Sequence, residues 1–255
     1  MKIHHIRNAT MIIETSDYVI LVDPMLGKRG SAAPPFTLFR FKPKRNPIVN
    51  LPDNSQALLD KVTHCLITHK HPDHIDKTAE SFLKANNIPV ICSVLDESLF
   101  KQKGLNVTQT VDYWQRQDFL NGKIEGIPAR HGYGYVAKPM GNVMGFYLEF
   151  ENAPSLYLSS DTIFTEEVKK VLVEYKPDIS VVASGTAQLD FFQPLLMRVD
   201  DIISFTKTAP GKVIANHLEA VNHCPTKRSD LKARFEQEGL SGKTFVPEDG
   251  ELITF

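Results

Sequence analysis

The densest chemistry in the chain lies in six consecutive residues, His69-Lys70-His71-Pro72-Asp73-His74, directly after the apolar run Thr63–Thr68. Neutral imidazole is the commonest protein ligand for zinc-like ions, and carboxylate oxygen serves the same ions. On a tight loop alternate residues point to one side, so His69 and His71 can share one metal. Asp73 and His74 then face a second metal beside it. The bland alternative for the same residues is a polar, solvated loop at a strand end.

H-x-H-x-D-H after a strand is the hallmark of the metallo-β-lactamase superfamily, which this chain resembles over nearly its whole length. The resemblance implies an α/β fold, a four-layer αββα sandwich, with later ligands in a set order. His131 fits the first of these, in Ile-Pro-Ala-Arg-His-Gly; Asp161 fits the second, in Leu-Ser-Ser-Asp-Thr; His217 fits the third, closing Val-Ile-Ala-Asn-His. Carried across, one metal takes His69, His71 and His131, the other takes Asp73, His74 and His217, and Asp161 bridges both. Asp23, followed by Pro24, matches the early Asp-Pro that supports the ligands from behind. Glu219 and His223 are further supporting candidates, and His223 competes with His217 as last ligand. His217 is preferred because it closes an apolar strand. The stretches Ile6–Thr10 and Asn216–Cys224 look most like the branch containing the ascorbate-6-phosphate lactonase.

Asp161 stands where the best-known zinc β-lactamases carry cysteine, which turns the expectation toward esters, lactones and phosphoesters. An all His/Asp ligand set suits Zn²⁺ and also admits Mn²⁺, Fe²⁺, Co²⁺ or Ni²⁺. The implied reaction is hydrolysis by a hydroxide that two divalent metal ions activate, with Asp73 as the catalytic residue orienting it. Arg130, Tyr133 and Tyr135 follow or flank His131 and are candidates for binding a small-molecule substrate; packing tyrosines and a solvated arginine are the plain alternative. Two other classes stay open, a phosphodiesterase or nuclease acting on nucleic acid and a non-catalytic metal-binding sensor.

These residues need elements to hold them. Strands are expected at Lys2–Ile6, Thr10–Glu14, Tyr18–Val22, Thr63–Thr68, Val90–Ser93, Thr108–Val111 and Lys123–Ala129. A hairpin pair follows at Val143–Glu149 and Ser155–Ser159. Further strands fall at Ile179–Ala183, Lys212–Asn216, Thr244–Val246 and Glu251–Thr254. Helices are expected at Ser55–Lys61, Asp76–Ala85, Leu95–Lys103, Thr165–Tyr175, Val199–Thr208 and Ser229–Glu238. Positions 27–52 are rich in proline and carry a basic patch at Lys42, Lys44 and Arg45. Their aromatics Phe36, Phe39 and Phe41 favour an ordered loop, read as a substrate-side lid, with a structural arm or dimer contact as alternatives.

The 255 residues suit one domain, and a net charge of -1 gives no reason to expect nucleic acid as partner. No apolar run approaches the roughly 20 residues needed to span a bilayer. The opening lacks the layout of a signal peptide, so a cytoplasmic location is expected, with three cysteines kept as thiols. A homo-oligomer is possible.

Overall fold

Short β-branched and apolar runs form the strands of two seven-stranded sheets in the computed structural model, which describes residues 1–34 and 37–255. In chain order the strands are β1 (Lys2–Arg7), β2 (Thr10–Glu14), β3 (Val19–Val22), β4 (His64–Ile67), β5 (Val90–Ser93), β6 (Val107–Val111), β7 (Gln117–Phe119), β8 (Gly122–Pro128), β9 (Met144–Phe150), β10 (Leu156–Leu158), β11 (Ile179–Ala183), β12 (Lys212–Asn216), β13 (Thr244–Phe245) and β14 (Leu252–Thr254). One sheet has the order β14-β1-β2-β3-β4-β5-β6 and the other β13-β12-β11-β10-β9-β8-β7. Each sheet begins as an antiparallel meander and continues as parallel strands.

Alternation along the strands builds the layers. Met11 and Ile13, Ile20 and Val22, and Leu66 meet Phe146, Leu148, Leu158 and Val181 between the sheets. Their neighbours Ile12, Leu21, Cys65 and Ile67 point the other way, onto Leu59 of helix α1 (Ser55–Leu59), Ala79 and Leu83 of α2 (Lys77–Ala85), and Phe100 of α3 (Glu97–Gln102). On the far side Tyr147, Val182 and Val213 meet further helices. These are α5 (Glu166–Lys170), α6 (Val199–Thr208) and α7 (Arg228–Gln237), after the short α4 (Ala137–Met140). Strands buried on both faces explain why the sequence runs are apolar rather than alternating. The result is the expected α/β sandwich of two sheets with helices on both outer faces.

Several details depart from expectation. Edge strand β7 was not foreseen, because Gln117-Asp118-Phe119 is too short and polar to show a pattern. The Thr165–Tyr175 helix is α5, capped by the Thr165 hydroxyl accepting from the Val168 amide (3.3 Å), followed by a wider turn of π type at Val171–Tyr175. Within positions 27–52 the described residues include an antiparallel bridge between Ala32 and Asn46. Phe36 lies outside the described residues, while Phe39 is exposed and packs on Phe191. All three cysteines are buried free thiols. No helix among the described residues is long and apolar enough to cross a membrane.

Candidate metal centre

Topology gathers the expected ligands before any side chain is considered. β1, β3 and β4 run the same way, as do β8, β10 and β12, so their C-terminal ends share an edge in each sheet. His69 follows β4, His131 follows β8, Asp161 follows β10 and His217 follows β12 at once. Asn8 and Asp23 sit just beyond β1 and β3. Left-handed backbone at Asn8, Asp23, Ser160 and His217 turns the chain sharply at these ends. Such a conformation is costly for a residue with a β-carbon and persists only where surrounding contacts fix it.

Ligand-capable atoms form three interlocking groups, each lying within 4.8 Å of one another: His69, His71 and His131; His69, His74 and Asp161; Asp73, His74 and His217. Asp161 is the hub. Its Oδ2 is 3.3 Å from His74 Nε2, 3.4 Å from His131 Nε2 and 3.6 Å from His217 Nε2. His217 Nε2 also lies 3.3 Å from Asp73 Oδ2 and 3.3 Å from His74 Nε2. His223 is absent from these groups, so the geometry favours His217 as the last member.

The far side of each ring explains why the Nε2 atoms converge. Asp23 accepts from the Thr68 amide (2.8 Å) and from the Thr68 hydroxyl (2.7 Å). With that hydroxyl proton committed, Thr68 Oγ1 accepts from His69 Nδ1 at 3.0 Å. Asp23 also accepts from His74 Nδ1 at 2.8 Å, and the Leu195 carbonyl accepts from His131 Nδ1 at 3.0 Å. His217 Nδ1 meets Cys224 Sγ at 3.5 Å, and the His71 ring is hydrogen-bonded to the Met140 backbone. A proton on Nδ1 leaves the Nε2 lone pair facing the centre, the arrangement by which outer partners orient metal-binding histidines. Of these partners only Asp23 and Cys224 carried any sequence signal. The Leu195 carbonyl comes from a distant loop and the Met140 carbonyl from the end of α4, and neither had any.

Electrostatics show the strain of so many donor atoms in one place. Burial pushes His69 far below the usual imidazole range and His131 down to about 4, so both are neutral at pH 7. His131 then aims a lone pair at a carboxylate oxygen, a repulsive pairing unless a cation lies between them. Burial opposes charge on His74 as well, but Asp161 and Asp23 outweigh it and raise that ring to about 10. Burial would raise Asp73 and Asp161, yet the surrounding histidines hold both well below the ordinary carboxylate range. His69 Nε2 and Asp161 Oδ1 are buried with no hydrogen-bond partner among the described residues. Five imidazoles, two carboxylates and these orphaned atoms fit divalent cations.

Over this cluster opens a cavity of about 320 Å³. His71, Asp73, His131, Asp161 and His223 reach it, and Ala32, Ala33, Pro34, Asn46 and Pro47 of the 27–52 loop form one wall. Arg130, Tyr133 and Tyr135 are not among its lining residues. Arg130 is exposed in a separate cleft, where its backbone holds the loop after Asp161 through Thr162 Oγ1 (3.0 Å) and the Ile163 amide (2.9 Å). Tyr133 donates to Asp201 and lies beneath Arg198, while Tyr135 is 99% exposed. The cavity is lined instead by the loop wall, Met140, Leu195 and His223. Glu219 pairs with Arg228 at 2.9 Å and does not stand behind a ligand in the way Asp23 does.

The family pattern described as "Beta-lactamase superfamily domain" matches residues 18–217. The chain belongs to this superfamily. It is 32% identical over 260 residues to the UPF0173 protein YddR of Bacillus subtilis (strain 168), covering 100% of both chains. A UPF0173 metal-dependent hydrolase of Flavobacterium johnsoniae is 24% identical, with 91% of this chain and 95% of that one covered. Among solved structures, an isothiocyanate hydrolase from Delia radicum gut bacteria superimposes with a TM-score of 0.90 at 26% identity, covering 100% and 99%. A possible metal-dependent hydrolase from Veillonella parvula DSM 2008 gives 0.91 at 29% identity, with 100% and 99% covered. The protein is therefore a metal-dependent hydrolase with the metallo-β-lactamase fold. The relatives from Bacillus subtilis and Flavobacterium johnsoniae are both of the UPF0173 group.

Proposed function

We propose that the protein hydrolyses a small molecule with two divalent cations held side by side, one by His69, His71 and His131 and one by Asp73, His74 and His217, with Asp161 between them. The observation that carries this is the convergence of three Nε2 atoms on one oxygen of Asp161, within 3.3–3.6 Å. Zinc suits the donor set best, and manganese, iron, cobalt or nickel are admitted by it. Such cations supply Lewis-acid activation of water and of the electronegative atom of the substrate.

The chain's own groups do the rest. Asp73 stays an anion at neutral pH and reaches the cavity, so it can accept a hydrogen bond from the attacking water and orient it. His223 lines the same cavity, and its Nδ1 is buried with no partner among the described residues. Burial lowers its pKa, so its ring is neutral at pH 7 and can offer the substrate a hydrogen bond from a ring N–H. The 27–52 wall restricts water to the volume the substrate leaves. Candidate substrates are esters, lactones and phosphoesters. Isothiocyanate joins them through the structural neighbour named for it, as a small molecule with an electrophilic carbon.

Elemental analysis of protein purified without chelator or added metal tests the dinuclear reading. Two ions per chain, with hydrolysis lost on chelation and restored on reloading, is the expected result. One ion would reduce the centre to mononuclear chemistry and remove Asp161 from its bridging role. No ion, and none taken up on titration, would end the proposal.

A further inference from the structure

We infer that the substrate carries an uncharged, apolar group into the cavity, and that anionic substrates such as phosphorylated sugars are selected against. This rests on the hydrolase reading above and narrows its substrate class. Apolar residues make most of the cavity lining, Met25, Ala33, Pro34, Met140, Leu189 and Leu195 among them, and no lysine or arginine is among its described lining residues. Its charged groups are the acids Asp73, Asp161 and Asp76. Asp76 is already committed, accepting from the Gly27 amide (2.6 Å) and the Ala79 amide (2.8 Å).

Cations that could have neutralised an anion are placed elsewhere. Arg45 is turned onto the Gly30 carbonyl (2.6 Å) and the Ser31 carbonyl (3.2 Å), and Arg130 lies in its own cleft. Lys70, Lys77 and Lys103 line an adjoining cleft of about 510 Å³, which shares Ala32, Ala33, Pro72 and Asp76 as a dividing wall. A phosphate or carboxylate distant from the metal ligands would thus lose its hydration without gaining a cationic side chain as partner, and would stand beside the Asp76 carboxylate. A volume near the lower end of the roughly 300–1,000 Å³ usual for small-molecule sites limits the group to a short chain or a single ring.

Matched esters give the test, with the metal-loaded full chain. In 4-nitrophenyl butyrate and 4-nitrophenyl hemisuccinate water adds across the same acyl C–O bond, releasing the acid and 4-nitrophenol. The second ester differs by a terminal carboxylate. The butyrate is expected to show a kcat/KM about tenfold or more above the hemisuccinate, a gap of the size expected when a buried charge goes unpaired. Ala33→Lys or Leu189→Arg, each placing a cation on the wall, should narrow that gap by about tenfold, through KM and at unchanged metal content. Equal or faster turnover of the hemisuccinate by the native chain, faster turnover of bis(4-nitrophenyl) phosphate than of the butyrate, or no narrowing in either variant would overturn the inference while leaving a metal hydrolase in place. Absence of metal-dependent hydrolysis for all three would remove the proposed function and this inference together.

Discussion

At the scale of single residues, the centre depends as much on what stands behind the ligands as on the ligands themselves. Asp23 is nearly wholly buried and serves Thr68 twice and His74 once. Asp23→Asn keeps the shape but replaces one acceptor by a donor, which must clash with a Thr68 or His74 donor. Loss of such outer partners lowers metal affinity by about 10–100-fold, and competition with a chromophoric chelator would measure it. An unchanged affinity would show that His69 and His74 keep their orientation without the carboxylate. His74 also fixes the pH dependence. Its pKa is raised to about 10 by Asp161 and Asp23, so below that pH the metal-free ring is protonated and a cation must displace the proton. Affinity should therefore climb about tenfold per pH unit between about pH 6 and 9 for each proton displaced. His131, lowered to about 4, releases none in this range. Calorimetric titration in buffers of different ionisation enthalpy should record at least one proton released; a count of zero would contradict the assignment of His74.

Elements bring their own explanations of what was legible. β1, β2 and β3 read clearly because their apolar runs are punctuated by Asn8 and by Ser16-Asp17. The H-x-H-x-D-H run and the family resemblance pointed to His131, Asp161 and His217 beyond β8, β10 and β12, and the fold brings these residues together. What could not be read is how loops without periodicity meet in space. α4 and the turn before it hide in a Gly-Tyr-Gly-Tyr stretch that looks like a substrate loop, and its Met140 carbonyl reaches His71. Arg7, at the end of a strand that also carries Lys2, His4 and His5, gave no hint of its task. Its buried guanidinium donates to the Met25 carbonyl (2.7 Å), the Gly27 carbonyl (2.5 Å) and the Val49 carbonyl (3.0 Å), so it grips both ends of the 27–52 loop. Burial lowers its pKa to about 10, which leaves it charged at neutral pH. Arg7→Met would strand three carbonyls and should destabilise the chain by about 3 kcal/mol in urea unfolding. It should also raise KM, because that loop forms a cavity wall. Arg7→Lys, with the charge but no planar fork, should fall between. If Arg7→Met unfolded at the native midpoint and kept its KM, the loop would be held by other contacts.

Over the whole molecule, the proposed ligands divide between the two sheets. His69, His71, Asp73 and His74 follow β4 of the first, whereas His131, Asp161 and His217 follow β8, β10 and β12 of the second. The apolar layer between the sheets binds the halves along their length, but at this edge the interface is a ring of imidazoles and carboxylates. Bound cations would tie the halves there and offset the repulsion among crowded donors, whereas the metal-free edge must hold protons on His74 and His217 to do so. Because these ligands assemble only in the folded chain, metal binding adds to folding stability, by about 2.7 kcal/mol for a site at 100 times its dissociation constant. For a chain of this size that is a rise in Tm of about 5–10 °C. Differential scanning calorimetry should show a single transition moving down by this amount on chelation and returning on reloading. Asp161→Ala, which removes the group between the proposed sites, should melt near the chelated value and respond little to either treatment. A native transition that ignores chelator would mean that the sheets are held at this edge by protein contacts alone. A split transition would mean that the halves melt separately once the cations are gone.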